Sequence, residues 1–297
     1  MKTNDLYNEV TKQVIAQIKE GVPPWVRPWK DSKVPGIGMI PSNLISGRLY
    51  SGSNILLLWL TAHSRAYPNL QFCTYNQVAS IGASVRKGEK ASHIIFTKHV
   101  LRKDEATGDE KGGTIVKGYP VFNVAQLEKV PDKYLEPQQE PTAHAKHDES
   151  IAFVRGVGAK FVHGGNKAMY VPSADEIHLP SLSAFRDEAA YWGTCHHELT
   201  HWTGSNERLK REFGKRFGDE RYAFEELVAE LGSAFLCARL GFEPTFRSAS
   251  YIDNWIKVLG NDNRAILSAA SYAGQASDWL WKKSFGEVEE RQLEAAE

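Results

Sequence analysis

Cysteine is scarce in this sequence. Three residues, Cys73, Cys195 and Cys237, are spread at wide spacings over 297 positions. An odd, scattered set excludes a disulfide-stapled scaffold and a cysteine metal knuckle, and it fits a reducing compartment. Long apolar runs are missing too. The longest is ILLLWL at 55–60, far short of the roughly 20 residues that cross a bilayer as a helix. The opening MKTNDLYNEV has no apolar signal core. These absences predict a cytoplasmic protein with no membrane partner. No cluster of aspartates stands ready for magnesium, which argues against a nuclease or primase site. Net charge is also absent, with 36 Lys and Arg against 36 Asp and Glu.

That balance conceals an asymmetry. Residues 1–130 hold 17 basic and 10 acidic side chains, and the remainder holds 19 and 26. A basic half joined to an acidic half suggests two tasks, with a polyanion as the partner of the first. Apolar residues make up 42%, enough to bury a real core. Residues 131–149, PDKYLEPQQEPTAHAKHDE, combine three prolines with many charges and read as a linker. The expected organisation is a first domain at 1–130, a linker at 131–149 and a second domain at 150–297. The fold class is α+β.

Periodicity supplies the elements. Leu6, Val10, Val14 and Ile18 recur at helical spacing over 3–20. VPPWVRPW at 22–29 reads as a stiff extended stretch. Helices are expected at 53–66 and 75–81. Strands at 93–101 and 114–124 form a hairpin across a polar connection. In the second half, 168–180 reads as a hairpin or paired edge strands. Ser183 is the expected cap of a helix over 184–203, ended by Gly204. A further helix covers 221–240, and helical spacing continues to about 285.

The strongest chemical signal is His197-Glu198-Leu199-Thr200-His201, an H-E-x-x-H pattern. Two histidines four residues apart differ by about 40° around a helix, so both reach one ion. Phe185, Trp192, Leu199 and Trp202 gather on the other side, keeping core and metal faces apart. The alternative is a polar face with two satisfied histidines. The second helix weighs against it. There Phe224, Leu227, Val228, Leu231, Phe235 and Ala238 form an apolar stripe, with Glu226 and Glu230 together on another side. Acids buried without a cation are costly. Glu226 is therefore the third ligand, favoured over Glu225, which points about 100° away. Glu230 accepts a hydrogen bond from a ligating imidazole. Three ligands and an open position suit a catalytic zinc, one per chain, whereas structural zinc usually takes four Cys or His ligands. Glu198 is then the general base. His196 reads as structural and Cys195 as packing. His178, Tyr170 and Tyr251 each could supply a donor to a developing oxyanion, and the sequence does not choose among them.

The first half interleaves aromatics with cations: Trp25, Arg27 and Trp29, then Arg48 and Tyr50, then Arg86, Lys87 and Lys90 in a glycine-centred turn. Rings that stack on bases and cations that hold phosphates suit single-stranded nucleic acid. The competing reading places the tryptophans in the core.

At this point the chain resembles a known family, the ArdC-type antirestriction proteins of conjugative plasmids and their relatives among plasmid primase-associated proteins. The resemblance spans nearly the whole chain. GVPPWVRPW, RLYSGSN, VRKGEKASHIIF and YPVFNVAQLE carry it in the first half; DEIHLP, HHELTHWTGS and EELVAE carry it in the second. It implies an N-terminal domain that binds single-stranded DNA entering a recipient cell. It also implies a zincin-like metallopeptidase domain with a glutamate as third ligand. Our own expectation for the peptide substrate is a host restriction or defence protein, which the resemblance does not supply. The rival expectation is a non-enzymatic DNA-protecting protein whose metal is structural. Retention of Glu198 favours the enzyme.

Overall fold

The amphipathic spacing at the N-terminus produces helix α1, Thr3–Lys19, with Val10, Val14 and Ile18 buried. The computed structural model describes residues 3–21, 23–26, 39–103, 110–135, 142–212, 219–245 and 251–286. Arg27 and Trp29 lie outside the described residues. After α1 the chain does not run extended at Trp25. A turn forms there, closed by Val26 N–H donating to Pro23 O at 3.0 Å.

The first half then builds a four-stranded sheet in the order β1-β2-β5-β4. Its strands are β1 (Ser42–Asn43), β2 (Gln71–Cys73), β4 (Ser92–Lys103) and β5 (Glu110–Asn123). β1 runs parallel to β2, and the other pairs are antiparallel. The hairpin β4–β5 is longer than its side chains predict, with pairing from Ser92↔Val121 to Lys103↔Glu110. Backbone pairing does not need apolar side chains, so polar residues of the expected connection extend both strands. Helix α2 (Ser53–Ser64) is buried along ILLLWL, and α3 (Tyr75–Ser80) starts on a Thr74–Gln77 capping box. A two-residue pair, β3 (Ser84–Val85) with β6 (Leu127–Glu128), completes this half.

The expected linker is only partly irregular. Thr142 caps helix α4, Ala143–Val157, by accepting from Ala145 N–H, so 143–149 is helical. Its charged residues are a solvated face, while Ser150, Phe153 and Val157 turn inward. A three-stranded sheet follows in the order β7-β9-β8, from β7 (Lys160–His163), β8 (Met169–Val171) and β9 (Glu176–Leu179). The next helix, α5, is Glu188–Thr203 and is capped by Asp187, not Ser183. Ser183 lies in a short 3-10 turn at Leu182–Ala184, and Asp187 offers the stronger, charged acceptor to the helix N-terminus. Helices α6 (Glu220–Arg239), α7 (Ile252–Asn261) and α8 (Ala265–Phe285) complete the described chain.

The two halves are not separate bodies on a tether. One apolar core takes Val14 and Trp59 from the first half and Phe235, Trp255 and Ala270 from the second. Trp59 meets Phe235 edge-on at 5.6 Å, and Trp25 meets Trp255 at 6.0 Å. Backbone touches backbone where α8 crosses the start of α2: a Cβ on Gly274 would collide with Gly52 Cα. Only glycine fits that crossing. Among the described residues, no helix is long and apolar enough to cross a membrane.

Candidate metal centre

Helix α5 is enclosed on nearly every side, with Trp192 through Thr200 all buried. Its partner α6 approaches closely because Gly232 faces Thr200; a Cβ there would sit 2.6 Å from Thr200 Cγ2. Ser233 Oγ, one residue on, donates to Gly193 O at 2.7 Å. This tight seam sets the acids of α6 against the histidines of α5.

Three side chains converge at the seam. His197 Nε2 is 3.4 Å from Glu226 Oε2, and His201 Nε2 is 3.6 Å from Glu226 Oε1. The two Nε2 atoms are 3.2 Å apart. One ligand atom from each of His197, His201 and Glu226 falls within 4.8 Å of the others. Behind them each imidazole turns its other nitrogen to a carboxylate. His201 Nδ1 is 3.1 Å from Glu225 Oε1, and His197 Nδ1 is 3.5 Å from Glu230 Oε2, an ion-pair distance without hydrogen-bond geometry. Glu225 does not join the convergent set: Arg211 and His201 hold its oxygens.

The charges explain what such a cluster needs. Among the described residues the buried charged side chains are Glu198, Glu225, Glu226, Glu230 and Arg211. Four carboxylates thus share one guanidinium, an arrangement that is costly without further positive charge. Burial disfavours charging His201, but hydrogen bonds and charges from Glu225 and Glu226 outweigh it and raise its pKa to about 10. His197 is raised in the same sense, against burial, by Glu226 and Glu230. Burial would raise the Glu226 pKa, yet the two imidazoles hold it well below the carboxylate range. With His201 Nδ1 bonded to Glu225 and His197 Nδ1 turned toward Glu230, both Nε2 atoms and Glu226 face a common point. The residues therefore fit a divalent cation.

Glu198 stands beside this cluster, its Oε2 accepting from Tyr170 N–H of β8 at 2.9 Å. Two tyrosines that face each other also border it. Tyr222 and Tyr251 hydroxyls are 3.2 Å apart. Burial first, then its partner and Glu226, lift the Tyr222 pKa; burial likewise raises Tyr251, which also feels the charges of Glu226 and Glu198. Of the three donors the sequence left open, Tyr251 is the one whose hydroxyl senses both acids. The Tyr170 hydroxyl donates to Asp175 Oδ1 at 2.8 Å and accepts from Arg208. His178 lies 3.4 Å from Glu176 on β9. His196 is buried, stacks on Trp192 and sits 3.3 Å from Cys237 Sγ; burial pushes its pKa down to about 3. Cys195 packs in the core of the second half. Sequence reasoning missed Arg211, Tyr222 and the pairing of Glu225 with His201, since none of these carries a spacing signal.

The nucleic-acid candidates divide. Trp25, 2% exposed, is a core residue and has no face open to a base, which corrects the expectation. Arg48 is exposed, and Tyr50 is half-buried, its phenol pushed up to about 12 mainly by burial. Lys87 and Lys90 are exposed on the turn after β3. Arg86 binds the carbonyls of Ala125 and Leu127 and lies 3.6 Å from Glu89. Arg65, which no sequence motif singles out, joins this turn by donating to Lys90 O at 2.6 Å.

Comparison with known proteins sets this geometry among relatives. A model of the N-terminal domain of anti-restriction factor ArdC matches residues 4–146, and a zincin-like metallopeptidase model matches 148–272. The crystal structure of metal-free antirestriction protein ArdC from plasmid R388 is 39% identical with a TM-score of 0.78, covering 94% of this chain and 98% of that one. Its Mn(II)-bound structure aligns with a TM-score of 0.75 at 36% identity, with the same coverage. The uncharacterized protein y4eC of Sinorhizobium fredii is 37% identical over 287 residues, 93% of this chain and 91% of that one. DNA primase TraC of Escherichia coli is 33% identical over 309 residues, and this chain spans 28% of its length.

Proposed function

The chain belongs to the ArdC-type antirestriction family, and from that premise we propose that it is a zinc peptidase that also binds single-stranded DNA. The observation that carries the peptidase reading is the convergence of His197, His201 and Glu226 with Glu198 alongside. His197, His201 and Glu226 hold the ion. That a relative has an Mn(II)-bound structure supports a divalent metal, and the two-nitrogen, one-carboxylate donor set with an open position suits zinc. When bound, the ion supplies Lewis-acid polarisation of a carbonyl and lowers the pKa of water.

The remaining steps belong to the chain. Glu198, oriented by the Tyr170 amide, takes a proton from the attacking water and returns it to the leaving amine. The Tyr222–Tyr251 pair provides hydroxyl donors next to the acids, suited to charge developing on the scissile carbonyl oxygen. The peptide substrate we propose is a restriction or defence protein of the recipient cell.

The turn bearing Arg65, Arg86, Lys87 and Lys90, together with Arg48 and Tyr50, is the proposed contact for DNA. Protection of incoming single strands would combine occlusion there with hydrolysis at the metal centre. The test uses the full chain. Elemental analysis should find about one zinc per chain, and a labelled single-stranded oligonucleotide should bind more tightly than duplex. A chain that takes up no divalent metal, or prefers duplex, refutes the corresponding half of the proposal.

A further inference from the structure

We infer that Arg211 is a positioning residue of the metal centre, clamping Glu225 so that the His201 imidazole keeps Nε2 turned toward the ion. The inference rests on the metal-binding reading above. Arg211 lies in the loop after α5, ten residues beyond His201, and is 8% exposed. All three nitrogens of its guanidinium are engaged. Nε donates to Glu225 Oε2 at 3.0 Å and Nη2 to Glu225 Oε1 at 2.9 Å. Nη2 also donates to Thr200 O at 2.6 Å, and Nη1 to Thr203 Oγ1 at 2.8 Å.

Those partners divide between two helices. Thr200 and Thr203 flank His201 on α5, while Glu225 precedes Glu226 on α6. The guanidinium is thus a rigid splint between the helices at the level of one histidine. Its fork shape matters, because two parallel N–H groups fix the carboxylate plane as an ammonium cannot. Glu225 Oε1 is the shared atom: it accepts from Arg211 Nη2 and faces His201 Nδ1 at 3.1 Å. Fixing that oxygen fixes the nitrogen that keeps the proton, and leaves Nε2 as the ligand atom.

The test is a double-mutant cycle on the full chain, read as zinc affinity by competition with a chromophoric chelator. The absorption spectrum of the Co(II)-substituted protein reports the ligand field. Arg211→Met and Glu225→Gln should each weaken zinc binding by about 10- to 100-fold, the scale for removing support of a ligating histidine. If Arg211 acts through Glu225, the double variant should lose little beyond the worse single variant. Arg211→Lys should recover part of the loss and shift the Co(II) spectrum. Unchanged zinc affinity in Arg211→Met, or losses that multiply in the double variant, would overturn the inference and leave Arg211 as a loop anchor. Should Arg211→Met fail to fold, Arg211→Lys in the parent and Glu225→Gln backgrounds decides by the same criterion. A parent chain that binds neither zinc nor Co(II) refutes the metal centre itself, an outcome distinct from failure of the clamp.

Discussion

Tyr170 and Glu198 are joined by a backbone-to-carboxylate hydrogen bond of 2.9 Å, which ties the acid of the H-E-x-x-H helix to an edge strand 28 residues earlier. Glu198 is thereby oriented without spending any group of the convergent trio. Glu198→Ala should keep its metal content and its DNA binding. Peptide hydrolysis should fall about 100-fold or more, the scale of lost acid–base catalysis. Protection of transferred DNA in a restricting recipient separates the two modes of action. Loss of protection in a variant that still binds DNA would tie protection to proteolysis; full protection would assign it to occlusion.

Glu225 and Glu226 are adjacent in sequence and should fail differently. Glu226→Ala removes a proposed ligand and should weaken zinc binding far more than Glu225→Ala does. Glu225→Ala leaves the Arg211 guanidinium buried without its carboxylate. It should destabilise the metal-free protein by about 3–5 kcal/mol, the cost of breaking a buried pair on one side. Zinc titration and chemical denaturation of both variants check this. Equal zinc losses would place the wrong carboxylate on the ion.

Removing the metal should also be visible in stability. At a free zinc concentration about 100 times the dissociation constant, binding contributes about 2.7 kcal/mol. A chelator should therefore lower the melting temperature of the parent chain and leave His197→Ala and His201→Ala unmoved. An equal chelator effect on all three would mean that the ion sits elsewhere.

The shared core makes a prediction about unfolding. Phe235 belongs to helix α6, which carries Glu226, yet packs on Trp59 of α2. Phe235→Ala should cost about 3–5 kcal/mol as a large-to-small core change. Both halves should lose stability together, in one transition by tryptophan fluorescence and far-UV circular dichroism. Two separated transitions, with only the second shifted, would show that the halves fold independently.

For DNA, the exposed turn gives the sharpest handle. Substituting Arg86, Lys87 and Lys90 together with alanine should weaken single-strand binding and flatten its dependence on salt, since a protein that neutralises fewer phosphates releases fewer counterions on binding. A salt slope equal to the parent's would place the DNA away from this turn.

Much of the centre was legible because its chemistry has a period. His197 and His201 are one helical turn apart, and Glu226 with Glu230 repeats that spacing on the second helix, so each pair announces a common face. Arg211 and Tyr222 have no such regularity. Their roles depend on how a loop folds back and how α6 is rotated, which tertiary packing decides. The same limit explains Trp25. Its neighbours Arg27 and Trp29 suggest a binding surface, but its partner Trp255 lies 230 residues away and no local pattern announces it. The linker misleads for a related reason: composition reports solvation, and the solvated face of α4 is as charged as a tether. Ser183 and Asp187 are both plausible caps, and the choice falls to whichever residue the preceding 3-10 turn delivers to the helix start.

The crossing of Gly274 over Gly52 limits how this protein can be dissected or grafted. Two backbones in contact leave no room for a linker, a tag or an adapting side chain. Cutting near residue 147, where the two family matches meet, would bare matching apolar faces on each product and invite aggregation. The portable unit, for expression, fusion or exchange, is the pair of halves moved as a single block.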